Sequence, residues 1–352
     1  MKSNLTARLG LVLPIIQGPF GGGLSTVKLA ATVTNAGGMG SYGAHLLEPE
    51  EIIQVTNAIR KETDGSFVMN LWVDSEDKRS KEADATAFER EVSKLEPIYR
   101  RNHVAPPVFA GCHSVDFERQ AEAILQARPP VFSFVFGIPS QEILNQCRKL
   151  GIITMGAATT LDEALAIENA GVDILLATGF EAGGHRPSFL RSADDSLHGT
   201  LALVRQIVES VEIPVVAAGG IADAKGVAAA LSLGASAVQV GTAFLACKES
   251  GAHPTHKRKL FDPSARHTRL SDRVTGRLAR FIVTSTLEEL EAGDLTHLGY
   301  PIQGELTRPF KTAEDGLFYA GQGAPLLRHH AAAELTRDLA SLVTGDCCVG
   351  DR

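Results

Sequence analysis

The stretch Pro214-Val-Val-Ala-Ala-Gly-Gly220-Ile-Ala-Asp223 is followed, sixteen residues after the aspartate, by Gln239-Val-Gly241-Thr242. A short apolar run that ends in two glycines is the pattern of a buried strand turning sharply at its C-terminal end. Asp223 then supplies a helix cap, the segment up to Leu233 has helical character, and Gly234 provides the stop before a second apolar run, Ala237–Val240. Strand, helix and strand at this spacing form a parallel βαβ unit. Glycines at the C-terminal ends of two adjacent parallel strands let backbone N–H groups and a helix N-terminus approach a phosphate. Gly219, Gly220, Gln239, Val240, Gly241 and Thr242 are therefore candidates to hold a phosphate-bearing cofactor. Either turn alone reads equally well as an ordinary tight connection; the pair at this separation is what favours a phosphate cup.

Outward from this unit the same alternation repeats. Apolar runs fall at 12–17, 38–42, 67–72, 131–136, 152–155, 173–177, 214–218 and 237–240. That makes eight, the number of a (β/α)8 TIM barrel, with the present pair as its seventh and eighth strands. A doubly wound open sheet is not excluded, because strand number does not prove closure. Helix boundaries support the reading: Thr160 with Glu163 three residues on has the form of a capping box, and Gly171 suits the end of that helix. Two regions break the alternation. Residues 74–104 are dense in charge, with Phe88, Val92 and Leu95 at helical spacing, and 106–110 has the composition of a small extra strand. From 248 to about 280 the chain is basic and polar and reads as a solvated pair of helices. The expected organisation is a barrel from 1–247 and 321–352 with an insertion at about 74–110, and a small helical subdomain, 248–320, on the substrate side.

Composition sets the limits. With 352 residues, 44% hydrophobic, and 34 glycines, the chain has material for a large core with many tight turns. A net charge of −7 without a long Lys/Arg run argues against a nucleic-acid surface. Five cysteines, odd in number and lacking metal-ligand spacing, suggest neither a disulfide framework nor a zinc site, which fits a reducing cytoplasm. The apolar run near the N-terminus is interrupted by Pro14 and reads as a first buried strand rather than a signal peptide. No run approaches the ~20 apolar residues of a membrane span. The expected partners are small molecules, in a monomer or homodimer.

The loop after the sixth run, Thr178-Gly-Phe-Glu-Ala182-Gly183-Gly-His185-Arg-Pro187, carries the clearest candidate for chemistry. Glycines before His185 let the backbone lie against a flat ring while the imidazole, with a pKa near neutrality, acts as a base or binds an anion. A lone histidine is often structural; the place of this one at the C-terminal end of a barrel strand raises its standing. Asn70, between apolar neighbours on the third strand, needs hydrogen-bond partners that a flavin edge or a backbone group would supply. Glycine clusters at 18–23 and 35–40 flank the first helix and serve either a cofactor ring or simple turns. Tyr300, Lys311 and Tyr319 return polar groups late in the chain.

Pro14-Ile-Ile-Gln-Gly-Pro19, Asn35-Ala-Gly-Gly38, Glu181-Ala-Gly-Gly-His185-Arg186, Ala218-Gly-Gly-Ile221 and Gln239-Val-Gly-Thr242, in this order, resemble the motifs of the nitronate monooxygenases, formerly 2-nitropropane dioxygenases. Tyr300-Pro301 and Ala320-Gly-Gln-Gly323 are similar to the class I branch. The resemblance implies FMN at the barrel mouth. Asn70 and Thr178 would lie near the ring or ribityl chain, with Ala182, Gly183, Gly219, Gly220 and 239–242 around the chain and phosphate. It also implies a catalytic His185, with Phe20, Tyr300 and Lys311 on the substrate side. The implied reaction is oxidation of an alkyl nitronate such as propionate 3-nitronate by O2 to a carbonyl compound and nitrite, a detoxification. Protonated His185 would steady the anionic nitro group, and neutral His185 would remove the α-proton of a nitroalkane. Thr178 and Ala157 stand where family members often carry Gln, or Gln or Lys, which shortens polar contacts to the flavin. NAD(P)H-dependent FMN reductases of quinones or enoyl thioesters share much of this pattern and are the rival enzyme class. A flavin-binding component without turnover and a flavin-free barrel for a sugar phosphate also fit the glycine pattern.

Overall fold

The computed structural model describes residues 5–74, 77–111 and 115–343. Cys112, Cys347 and Cys348 and the end of the expected barrel segment lie outside those residues; Cys147 and Cys247 are buried free thiols. The eight apolar runs are parallel strands of one sheet. They are β1 (Ile15–Gln17), β2 (Gly40–Gly43), β3 (Phe67–Trp72), β4 (Val131–Val135), β5 (Ile153–Ala158), β6 (Ile174–Thr178), β7 (Val215–Ala218) and β8 (Ala237–Val240). Their spatial order is β1-β8-β7-β6-β5-β4-β3-β2. A parallel bridge between Ile16 and Met39 completes the ring, with Gln17 N–H donating to Met39 O and Met39 N–H to Ile15 O, both at 2.9 Å. The sheet is closed, which removes the open doubly wound arrangement.

Side-chain alternation along the strands sorts the chain into two apolar layers. Phe67, Met69 and Leu71 of β3, with Phe132 and Phe134 of β4, face outward into the large core beneath the helices. Val68, Val131, Met155, Ile174, Val216 and Ala237 face inward and fill the barrel, and the short helix Leu5–Leu9 adds Leu5 and Leu9 to the same cluster. Two residues further along each strand the inward positions become Asn70, Ser133, Ala157, Leu176, Ala218 and Gln239. Leu176 apart, the side chains there are small or polar and do not complete another packed layer, and a cavity opens at the C-terminal end of the barrel.

The charged insertion forms the expected amphipathic helix, Ala85–Arg101. Residues 106–110 form no strand; they hold no ladder partner, and their composition alone does not make one. The 248–320 segment differs from the helical expectation. It has helices at Pro254–Phe261, Ser285–Ala292 and Ile302–Thr307, but also an antiparallel pair, β9 (Thr268–Ser271) and β10 (Ala279–Ile282). Its arginines are not all solvated: Arg280 is buried and donates from Nε and Nη2 to Phe180 O at 3.0 and 2.9 Å. The insertion and this segment share one satellite core, in which Phe88, Leu95 and Tyr99 pack with Leu287, Leu290 and Phe310. The Tyr99 ring stacks on Phe310 at 5.0 Å and its hydroxyl donates to Leu306 O at 2.8 Å. Each such buried aromatic contributes about 1.5–3 kcal/mol, enough to tie together two segments some 200 residues apart in sequence. No helix among the described residues is long and apolar enough to cross a membrane.

Candidate active site

A cavity of about 640 Å³ opens at the C-terminal mouth of the barrel, within the range typical of small-molecule sites. Met155, Ala157, Leu176 and Ala218 give it an apolar floor. Three lining residues bring polar groups to the floor's edge. Asn70 donates to Ser133 Oγ at 2.9 Å, and Thr178 Oγ1 and Gln239 Oε1 are buried without a partner. Buried polar atoms ordinarily have partners, so an orphaned acceptor and an orphaned hydroxyl beside an apolar floor suit a planar ring with polar edges.

One end of the cavity is walled by backbone. Gly183, Gly219, Gly220, Gly241, Gly321 and Gly323 line it with Ala182 and Thr242. Gly183 is a close backbone approach: a Cβ there would stand 2.5 Å from Gly321 N and 2.7 Å from the Ala320 carbonyl carbon. Thr242 Oγ1 accepts from Gly321 N at 2.9 Å, which links the β8 turn to the late glycine run. Such an edge presents N–H groups without side-chain bulk, as a phosphate-bearing chain requires. The orphaned atoms and this wall fit a flavin nucleotide.

The loop after β6 is locked by its own charged residues. The Glu181 carboxylate accepts from Thr200 N at 2.9 Å and from Thr200 Oγ1 at 2.8 Å, at the start of helix Thr200–Ser210. Arg186 is buried and donates to the carbonyls of Thr178, Thr159 and Ser196. Burial pulls its pKa down to about 10, with Glu163 and Glu181 opposing the shift; it remains a cation at neutral pH. These two residues brace the loop and do not face the cavity. Between them, Gly184 and His185 form a two-residue strand that pairs with β10, His185 opposite Ala279.

That pairing carries His185 into a cluster of rings. Its imidazole lies edge-on to Trp72 at 5.0 Å and close to Tyr300 and Tyr319, at 5.9 and 5.8 Å. A second imidazole, His45, stacks on the other part of Trp72 at 4.0 Å and 4°, with Nε2 3.5 Å from the Tyr300 hydroxyl. Arg277 lies against Phe136 and Tyr300, its guanidinium carbon 4.5 and 5.2 Å from their centroids. Asp77, from the insertion, holds Arg277 Nε at 2.9 Å and accepts from Tyr300 N at 3.0 Å. Lys311 opens on the cavity and has no hydrogen-bond or ion-pair partner among the described residues.

Burial, then the positive charges of Arg277 and Lys311, bring the His45 pKa down to about 3. Burial likewise takes His185 to about 3, with His45, Arg277 and Lys311 adding to the effect. Burial also raises the Tyr300 and Tyr319 phenols above their ordinary range and lowers the Lys311 ammonium. At neutral pH both imidazoles are neutral and both phenols protonated; Arg277 is paired with Asp77, and Lys311, with Glu305 near it on the same wall, is the cation that opens on the cavity. Protonated His185 is therefore disfavoured at neutral pH, and the imidazole stands in the cavity wall as a neutral ring.

The cavity brings together His185, Asn70, Thr178, Ala182, Gly183, Gly219, Gly220, Gln239, Gly241, Thr242, Phe20, Tyr300 and Lys311. Val240 is the exception. Its side chain points outward into the large core and only its carbonyl, which accepts from Gly18 N at 2.8 Å, faces the first loop. Phe20 sits beside Gly241, where a Cβ would be 3.8 Å from its ring, and not among the rings around His185. His45, Trp72, Phe136, Thr275 and Arg277 were not legible as site residues. Trp72 alone had a signal, since it continues the inward register of Val68 and Asn70.

Residues 2–341 match the profile of the nitronate monooxygenase family. The chain is 35% identical over 339 residues to a probable nitronate monooxygenase of Staphylococcus aureus strain Newman, covering 94% of each chain. Among solved structures it is similar to the nitroalkane oxidase of Streptomyces ansochromogenes, with 36% identity, a TM-score of 0.85, and 96% of this chain and 97% of that one covered. It is also similar to FabK from Thermotoga maritima, at 27% identity and a TM-score of 0.72 over 96% of this chain and 95% of that one.

Proposed function

Because this chain belongs to the nitronate monooxygenase family, we propose that it binds FMN and oxidises small alkyl nitronates, propionate 3-nitronate among them, with O2 to a carbonyl compound and nitrite. One observation carries the reading: a glycine-walled end and a cationic, ring-lined end built around neutral His185 share a single cavity. Asn70, Thr178 and Gln239 would meet the flavin ring edge, and Ala182, Gly183, Gly219, Gly220, Gly241 and Thr242 its chain and phosphate. The bound flavin supplies the electron acceptor that O2 reoxidises. Lys311, the lysine that opens on the cavity, favours an anionic substrate over a neutral one. Trp72, Phe136, Tyr300 and Tyr319 exclude water and restrict the substrate to a flat slot. A nitronate is already electron-rich at carbon, so little beyond this orientation is required of the protein; a neutral nitroalkane needs the base that His185 provides. Removal of a reactive nitronate is the physiological role that such a reaction serves.

The likeness to FabK at 27% identity supports a second reading, an NAD(P)H-dependent FMN reductase. One experiment separates the two. The purified protein is tested for a flavin spectrum, and O2 consumption is followed with propionate 3-nitronate and, separately, with NAD(P)H. A yellow protein that consumes O2 with the nitronate only, and loses about 10²-fold or more of its turnover of a neutral nitroalkane as His185→Ala, is the expected result. Rapid NAD(P)H oxidation without nitronate turnover moves the assignment to the reductases. Bound flavin with neither activity indicates a non-catalytic flavin carrier, and a colourless protein that cannot be reconstituted with FMN overturns the flavoenzyme reading.

A further inference from the structure

Among the described residues the His185 ring makes one hydrogen bond, between Nε2 and Thr275 Oγ1 at 2.9 Å. Thr275 is buried in the turn between β9 and β10. Its hydroxyl has two other neighbours, both from Arg277: it donates to the carbonyl at 3.1 Å and accepts from the backbone N–H at 3.3 Å. A hydroxyl has one proton and two lone pairs. All three are used at once only when the proton goes to the Arg277 carbonyl and the two lone pairs receive Arg277 N–H and an imidazole N–H. With the other tautomer, Thr275 would have to turn its proton to Nε2 and withdraw it from that carbonyl, leaving an acceptor short.

We propose that Thr275 is a positioning residue that holds neutral His185 as the Nε2–H tautomer, leaving the Nδ1 lone pair, which has no partner among the described residues, as the proton acceptor toward the cavity. The His185 ring lines the cavity, whereas Nδ1 of His45 is sealed in the interior without a partner. The two imidazoles thus divide the work: His45 supports Tyr300, and His185 presents a bare nitrogen to substrate.

The turn that carries Thr275 is held on several sides. Thr307 Oγ1 donates to Val274 O at 2.6 Å and Gln303 Nε2 to Arg273 O at 2.8 Å. Gly276, at φ +92°, is pressed so closely to Gly299 and Tyr300 that a Cβ would stand 2.4 Å from Tyr300 N. Asp77 fixes Arg277 from the insertion. His185 itself is registered opposite Ala279, and Arg186 N–H donates to Leu278 O at 2.8 Å. The imidazole is therefore carried by an edge strand of this small sheet and the hydroxyl by the turn that joins its other two strands, so backbone pairing sets their separation. The charged and titratable groups facing His185 are His45, Arg277, Lys311, Tyr300 and Tyr319.

This inference deepens the proposed function and rests on it for the substrate, adding neutral nitroalkanes to the nitronates. In the step, Nδ1 takes the α-proton. The C–H electron pair becomes the C=N bond of the nitronate, and an N=O pair moves onto the nitro oxygen. The new imidazolium keeps its Nε2–H on Thr275, and its charge is offset by the nitronate it has generated. No oxidant takes part in the transfer.

The test uses the flavin-loaded protein labelled with 15N-histidine, with the His185 signals assigned by their loss in His185→Gln. At pH 8 the wild type is expected to show a protonated Nε2 and an unprotonated Nδ1; a proton on Nδ1 overturns the proposal. Thr275→Val keeps the shape but removes the hydroxyl, and is expected to mix the tautomers. It should lower kcat/KM for nitroethane by about 10²-fold while turnover of ethylnitronate changes less than about threefold, and Thr275→Ser should restore the nitroethane rate to within about threefold. Equal losses on both substrates with an unchanged tautomer would mean a merely structural threonine, and overturn it. If the valine variant does not fold, the wild-type spectrum and the serine variant decide the question. If neither substrate is turned over, the function reading fails while the tautomer spectrum still judges the assignment of Thr275.

Discussion

Lys311 and the Asp77-paired Arg277 stand beside imidazoles that burial keeps neutral, and a lysine that opens on the cavity beside neutral rings is the chemical character of its ring-lined end. An unpaired ammonium opening on a cavity has a clear use only if an anion meets it, because a charge-assisted hydrogen bond contributes about 1.5–3 kcal/mol. Lys311→Met is expected to raise KM for nitronates by about tenfold, with kcat within about threefold and KM for neutral nitroethane little changed. Steady-state kinetics on both substrates check this, and an unaltered nitronate KM would remove Lys311 from anion binding. Individual residues were legible where a local motif marked them. His185 stood after two glycines, Asn70 stood as a lone amide in an apolar strand, and the Gly220 and Gly241 turns stood a helix apart. His45 was not legible, because what makes it part of the site is the face of Trp72 from the next strand. Thr275 was hidden for the same reason, its partner being 90 residues away.

At the scale of elements, the βα turns do different work although their sequences look alike. The Gly183 turn is a close backbone approach, and a side chain there must displace Gly321 or Ala320. Gly183→Ala is expected to lower the retained flavin per mole of protein to less than about half and to destabilise the protein by roughly 1–3 kcal/mol, read from absorbance of the purified protein and its denaturant midpoint. Full flavin content with wild-type stability would show that this wall yields more readily than its contacts indicate. The eight barrel strands were readable because each is an apolar run bounded by turn residues, buried on both faces. β9 and β10 were not, since Thr268-Arg-Leu-Ser and Ala279-Arg-Phe-Ile alternate within a basic stretch that reads as solvated helix. They are strands because β10 pairs with β9 on one side and with Gly184–His185 on the other, and a ladder partner is not a local property.

Across the whole molecule, buried neutral histidines make stability depend on pH. His256 donates from Nε2 to Tyr319 O at 2.8 Å, and burial takes its pKa down to about 4. The folded value lies below the unfolded one of ~6.5, so the unfolded chain takes up the proton first. The stability is complete above that value and is lost as pH falls toward the folded pKa. Between pH 7 and 5 this single site should cost about 2 kcal/mol, and His256→Gln should reduce the fall in urea-denaturation free energy across that interval by a similar amount. An equal fall in the variant would assign the acid sensitivity elsewhere. The sequence by itself determined the repeating strand and helix units, the polar or small inward positions at the strand ends and the glycine turns, because periodicity, capping and backbone freedom act within a few residues. Only the tertiary structure decided that the sheet closes through Ile16 and Met39, that two segments share one satellite core, and that His185 meets Thr275, Tyr300 and Trp72. Those outcomes depend on which distant surfaces bury each other, and that is settled by the packing of the whole chain.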